Sequence, residues 1–163
     1  MAAFAPQPQM EEFLVYMNMA HGIWMKYPRT WQMLEDAGAN AFMVAFSAPT
    51  ESPSDSFREN VNIVVEKLAA PATLEQIVAG TRQLLLQQMQ VTFVEDAVRD
   101  RIGEVAAYRS VYTGAMMGRA LKWQQYAALK GDRSYTFTYT AEPNKFESYL
   151  ETVRRMIASL EIG

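Results

Sequence analysis

Three groups of side chains in this 163-residue chain have types and spacings that could do chemistry. Glu51, Asp55 and Glu59 recur every four residues through APTESPSDSFREN, and clustered carboxylates are the natural ligands of a hard cation. They lack the Asp-x-Asp-x-Asp-Gly spacing and the bidentate closing Glu of a calcium loop, so an exposed, solvated loop is the simpler reading. His21 is the single histidine; with no second histidine beside it, a solvated turn residue is a simpler reading than a metal ligand or general base. The third group is TGAMMGRALK, in which Gly114 and Gly118 bracket Met116 and Met117 between two strand-like runs. Methionines at a hairpin tip offer adaptable apolar contact, and Arg119 adds a planar donor at the rim, so Met116, Met117 and Arg119 are the expected partner-binding residues. The alternative is that the methionines fold back over the sheet edge.

The remaining candidates are weaker. Asn60 and Asn62 share one face of their strand, a pattern ordinarily used for hydrogen bonding at a sheet edge. Arg99, Arg101, Arg154 and Arg155 are balanced by nearby acids and read as surface. There is no G-x-S-x-G, P-loop or dinucleotide fingerprint, and no cysteine to serve as thiolate, disulfide or zinc ligand. The expectation is no catalytic residue, no metal and no cofactor.

Composition narrows the class. At 50% hydrophobic and 20% charged residues the chain suits one compact domain, and a net charge of −3 leaves no excess of cations for a nucleic-acid backbone. No apolar run approaches the length of a bilayer span, and MAAFAPQPQMEEF has neither a basic n-region nor a continuous apolar h-region. A flexible N-terminal segment over 1–12 and a single domain over 13–163 are expected.

The hydrophobic period says which elements position these groups. FLVYMN and GIWMKYP form a hairpin about MAHG; AFMVAFS and VNIVVEKL are strands. In TLEQIVAGTRQLLLQQM, the residues Leu74, Ile77, Val78, Leu84, Leu85 and Met89 recur at helical spacing behind a Thr73/Gln76 capping box. Strand-like runs follow around VTFVEDAV, VAAYRSVYTG and ALKWQQYAAL, then GDRSYTFTYTAE, joined to its predecessor by a tight turn at Gly131-Asp132. The last helix, NKFESYLETVRRMIASL, buries Phe146, Tyr149, Leu150, Val153, Ile157 and Leu160, with Asn144 and Glu147 as its cap. Within GIWMKYPRTWQM, Pro28 ends a strand and Trp31 plugs the corner of the core, while Trp24 lies on the face opposite Ile23 and Met25. These elements predict an α+β fold: an α-β-α sandwich whose central, mainly antiparallel sheet is covered by two amphipathic helices.

The order KYPRTW, FRENVNIVVEKL, Pro71 with TLEQ, YRSVYTG, KWQQYAALKGDRSYTFTYTA and FESYLETVRRMIASLEI resembles the PsbP-like superfamily, and within it the bacterial and archaeal branch related to DcrB. The resemblance runs from Val15 to Ile162 and implies the sandwich fold seen in a Ran-binding release factor. It also implies a small extracytoplasmic or lipoprotein domain without an agreed catalytic activity. One member stabilises the manganese cluster of photosystem II, and neighbouring branches act as chaperones for secreted effectors. The lipoprotein cysteine of exported members is missing, which points to a cytoplasmic member if Met1 is the native start and to an extracytoplasmic one if a leader was trimmed. The function expected is a non-catalytic module docking on a protein complex or client. The alternative is a small-molecule carrier with a pocket between sheet and helix.

Overall fold

The computed structural model describes residues 11–163. The chain runs β1 (Phe13–Asn18), β2 (Ile23–Pro28), β3 (Gln32–Ala37), β4 (Ala41–Ser47), β5 (Asn60–Lys67), α1 (Leu74–Leu84), a π-helical turn (Leu85–Met89), β6 (Thr92–Ile102), β7 (Val105–Met116), β8 (Arg119–Lys130), β9 (Arg133–Ala141), α2 (Phe146–Ser159) and β10 (Glu161–Ile162). Of the N-terminal segment expected to be flexible, residues 1–10 lie outside the described residues. Glu11 and Glu12 are tied down, by a bond from Thr152 Oγ1 to Glu11 and by Arg29 to Glu12.

Seven antiparallel strands form the central sheet in the order β3-β4-β5-β9-β8-β7-β6, and β1-β2-β10 form a smaller sheet. Strict alternation in β9 explains how the large sheet serves two layers. Tyr135, Phe137 and Tyr139 point to one face, where Phe42, Val44, Phe46, Val61, Ile63 and Val65 join them beneath the small sheet and α2. Buried phenols need partners: Tyr135 donates to the His21 carbonyl at 2.9 Å and Tyr139 to the Phe146 carbonyl at 2.8 Å. These bonds pin both companion elements to one strand.

The opposite face carries a second core of Val91, Tyr112, Leu121 and Trp123, with Phe57, Leu85, Met89 and Phe93 against it. Here α1 starts at the Thr73 capping box, both of its bonds present. The helix sits lightly: none of its residues is fully buried, and Leu84, expected in the apolar stripe, is exposed. The chain widens into the π-turn before Gln90 closes it in the left-handed region at φ 51°.

Some expectations are corrected and others met. The strand β3 is wholly exposed and so carries no periodic signal; β4 is its one strand partner among the described residues. Asn144 does not cap α2, whose N-cap is Lys145 with no side-chain cap bond, and Met156 belongs to the buried face. β5 lies between β4 and β9, so Asn60 and Asn62 are not at an edge; the Asn60 amide donates to the Arg58 carbonyl. Trp31 is buried at 5% exposure, edge-on to Tyr149 at 6.1 Å. No helix among the described residues is long and apolar enough to cross a membrane.

Candidate docking surface

The carboxylate loop is anchored rather than free. Lys145 reaches Glu51 at 2.8 Å and Asp55 at 3.7 Å, and Tyr149 donates to Glu51 at 2.7 Å. Asp55 also accepts the backbone N–H groups of Glu51 and Phe57, and Arg58 ties the loop to the Ala48 carbonyl and to Gln32. The bond to Lys145 lowers the pKa of Glu51, and the two backbone donors lower that of Asp55. Glu59 is the departure from a solvated loop. It is 1% exposed, accepts the N–H of Glu142 at 3.1 Å, and burial pushes its pKa up despite that bond. The three carboxylates therefore do not converge on one point: two face Lys145 and one is turned inward.

His21 is half-buried, its ring stacked on Phe42 at 4.0 Å and its Nδ1 3.1 Å from the Asn18 amide oxygen. Arg154 pairs loosely with Glu151, and the Arg155 guanidinium lies 4.3 Å over Phe13. The cleft between α1 and the sheet, one of the places where a sheet–helix pocket could lie, has a free volume of about 20 Å³, room for little more than one water.

Met117 and Gly118, at φ 52° and 76°, form the two-residue turn that joins β7 to β8. Both conformations are left-handed, as in a type I′ hairpin, and glycine takes the second without strain. The turn leaves Met117 99% exposed and Met116 46% exposed. Arg119 is drawn inward instead: it bonds Glu142 at 3.1 Å and Ser56 at 2.8 Å and lies over Phe57. Arg119 remains the cross-strand partner of Met116 at the base of the turn.

A second apolar surface lies at the other end of β9. On the outer side of the small sheet, Met17 pairs with Trp24, which also pairs with Glu161, and Val15 pairs with Lys26. An open trough of about 320 Å³ runs here, lined by Met17, Met19, Trp24, Glu161 and Gly163 over a floor of Ile23 and Ile162. Met17 is 60% and Met19 83% exposed, and Trp24 is half-buried. The trough is shaped by close approach of two chain segments. Gly22, at φ 66°, accepts the N–H of Gly163 at 2.9 Å, and a Cβ on Gly22 would stand 2.6 Å from the Gly163 carbonyl carbon. Sequence reading located the methionine tip but not this surface. Its signal was faint: Val15, Met17, Trp24 and Lys26 each fall on the outward side of an alternation, and the third strand is only two residues long.

No family model matches the chain, and no curated protein matches its sequence. Its fold, by contrast, is shared by solved structures. LpqN of Mycobacterium tuberculosis, described as involved in cell envelope biogenesis, superposes at a TM-score of 0.70 with 11% identity, over 93% of this chain and 90% of that one. The cyanobacterial PsbP of Synechocystis sp. PCC 6803 gives 0.68 with 12% identity over 99% and 100%. PA94 of Pseudomonas aeruginosa, a protein of unknown function, gives 0.62 with 17% identity over 90% and 94%. The antiparallel sheet with its two helices is therefore a PsbP-like fold.

Proposed function

We propose that the chain is a non-catalytic PsbP-like module of the DcrB-related kind that docks on a protein complex or client. The observation that carries this reading is the grouping of exposed apolar side chains at two places, the trough of Met17, Met19 and Trp24 and the tip of Met116 and Met117. A half-buried tryptophan beside exposed methionines suits a protein surface, because the indole supplies rigid area and the flexible thioethers adapt around it. The trough, which stands over Ile23 and Ile162, is the main docking surface; the tip, with Arg119 paired to Met116 but drawn toward Glu142 and Ser56, is a secondary contact. The carrier reading gains nothing from the cleft under α1, whose volume lies far below the few hundred Å³ of ligand pockets.

A photo-crosslinking side chain placed singly at Met17, Met117 and the exposed helix position Gln83, in the native host, tests the reading. Adducts of one discrete mass from Met17, weaker ones from Met117 and none from Gln83 are expected. Identical weak labelling from all three positions would mean that neither surface docks anything. If Met116→Ser with Met117→Ser abolishes the adducts while Met17→Ser leaves them, the tip is the docking site and the trough is not.

A further inference from the structure

We infer that the open edge of β1 pairs antiparallel with β1 of a second copy of this chain, about a two-fold axis at Val15. The four sheet-edge strands differ in how they are defended. β3 carries Glu35 and Asp36. β6 carries Glu95, Asp96, Arg99, Asp100 and Arg101, and its register with β7 is broken twice around Ala97, which stands at φ 48°. β10 is two residues long. Charges, bulges and shortness are the devices that keep edge strands from pairing with other chains. β1, FLVYMN, has none of them: no charge, no proline, and an uninterrupted register with β2, its sole partner among the described residues.

The backbone parity shows what that edge presents. Arg29 N–H donates to the Glu12 carbonyl at 2.8 Å, which makes Glu12 and Arg29 a hydrogen-bonded pair one step beyond Phe13 and Pro28. Antiparallel ladders alternate, so Leu14, Tyr16 and Asn18 bond to β2 and the N–H and C=O groups of Phe13, Val15 and Met17 face the open side. The other side of β2 agrees, since Lys26 N–H reaches Ser159 Oγ and Gly163 N–H reaches the Gly22 carbonyl, with Trp24 paired to Glu161 between them.

A two-fold axis at Val15 satisfies all of these groups. Val15 then exchanges both bonds with Val15 of the second copy, and Phe13 with Met17. Because cross-strand partners share a face, Trp24, Met17, then Phe13 and Pro28 of the second copy would form one apolar row across the joined sheet. Charge selects the orientation. The strand enters from Glu11 and Glu12 and leaves through Asn18 and His21. Antiparallel pairing at this register sets Glu12 beside the uncharged Asn18 of the second copy, whereas parallel pairing would stack carboxylate on carboxylate. The outer faces of both copies would then form one surface. The pairing does not depend on what that surface docks.

The chain has no cysteine, so single cysteines report register directly. Under mild oxidation Val15→Cys should form a disulfide-linked pair of chains, whereas Met17→Cys, whose thiols would be offset by four residues along the strands, should not. In light scattering the wild type should weigh twice the 18.5 kDa chain mass. Val15→Glu, whose carboxylate can pair with Lys26 in its own chain but faces its copy across the axis, should fall to one chain with the fold retained by circular dichroism. Four results overturn the inference. They are a wild type of one chain mass at high micromolar concentration, a double mass that survives Val15→Glu, equal cross-linking from both cysteines, and a single chain that doubles only when residues 1–10 are deleted. The last would assign the edge to the chain's own N-terminal segment.

Discussion

The two ends of β9 make the most instructive comparison in the molecule. At one end Tyr135 holds the turn of the small sheet, and the trough opens beside it; at the other, Glu142 holds Arg119, and the methionine tip projects past the carboxylate loop. Both ends expose methionine, but on different foundations. The trough lies over buried Ile23 and Ile162, so its outward side chains stand on core. The tip stands on nothing except its own two-residue turn. A hairpin tip costs the fold little when altered, whereas a sheet face is coupled to the packing beneath it. The difference teaches that exposure alone does not rank a surface; what backs it decides how rigidly it can present a side chain.

The largest effect that would sharpen the contrast lies at the tip end but inside it. Trp31→Ala should destabilise the fold by about 3–5 kcal/mol in denaturant melts, the usual cost of emptying a buried aromatic site. A midpoint unchanged from wild type would show that this end has no core corner. A smaller effect distinguishes Glu59 from its two neighbours. Burial raises its folded-state pKa, so the stability it contributes is complete below the unfolded carboxylate pKa and is lost as pH rises through the folded value. Glu59→Gln removes that loss while keeping an acceptor for the Glu142 N–H. The Tm of the variant minus that of wild type should therefore grow as pH rises above the ordinary carboxylate range. Glu51 and Asp55 act in the opposite sense, their contribution being lost as pH falls, so a difference curve that falls as pH rises would place Glu59 with them. The smallest effect belongs to the tip: Met116→Ser with Met117→Ser should change stability by no more than about 0.5 kcal/mol. Unfolding of that variant would mean that the tip, too, stands on core.

What could be read from sequence follows the same division. The alternation in β9, the capping box at Thr73 and the glycines around Met116 and Met117 are local signals, and each element lies where its signal places it. β3 has no signal because all six of its residues are exposed and its pairing with β4, not a buried face, makes it a strand. The inward turn of Glu59 depends on a backbone donor 83 positions away, and the trough on residues near both described ends of the chain. No window of sequence holds such partners together. The bonds of Arg119 are illegible for the same reason: its acceptors, Ser56 and Glu142, are distant in sequence and meet only when the sheet closes.

The order of strands in the large sheet also sets how the molecule must assemble. β3-β4-β5 and β6-β7-β8-β9 are each runs of neighbours in sequence, closed by local turns, and they meet only where β5 pairs with β9, from Lys67 with Arg133 to Asn60 with Thr140. The segment between β5 and β6, α1 included, is the loop whose closure entropy must be met before that pairing returns any contact. Folding therefore consists of two fast zippers and one slow seam. Ile63→Val, in the seam, and Val111→Ala, in the β7–β8 hairpin that forms before it, should both act mainly on the refolding rate and little on unfolding. Until the seam forms, each half exposes a strand edge that the native sheet conceals, and it is in that interval that the chain is open to mispairing.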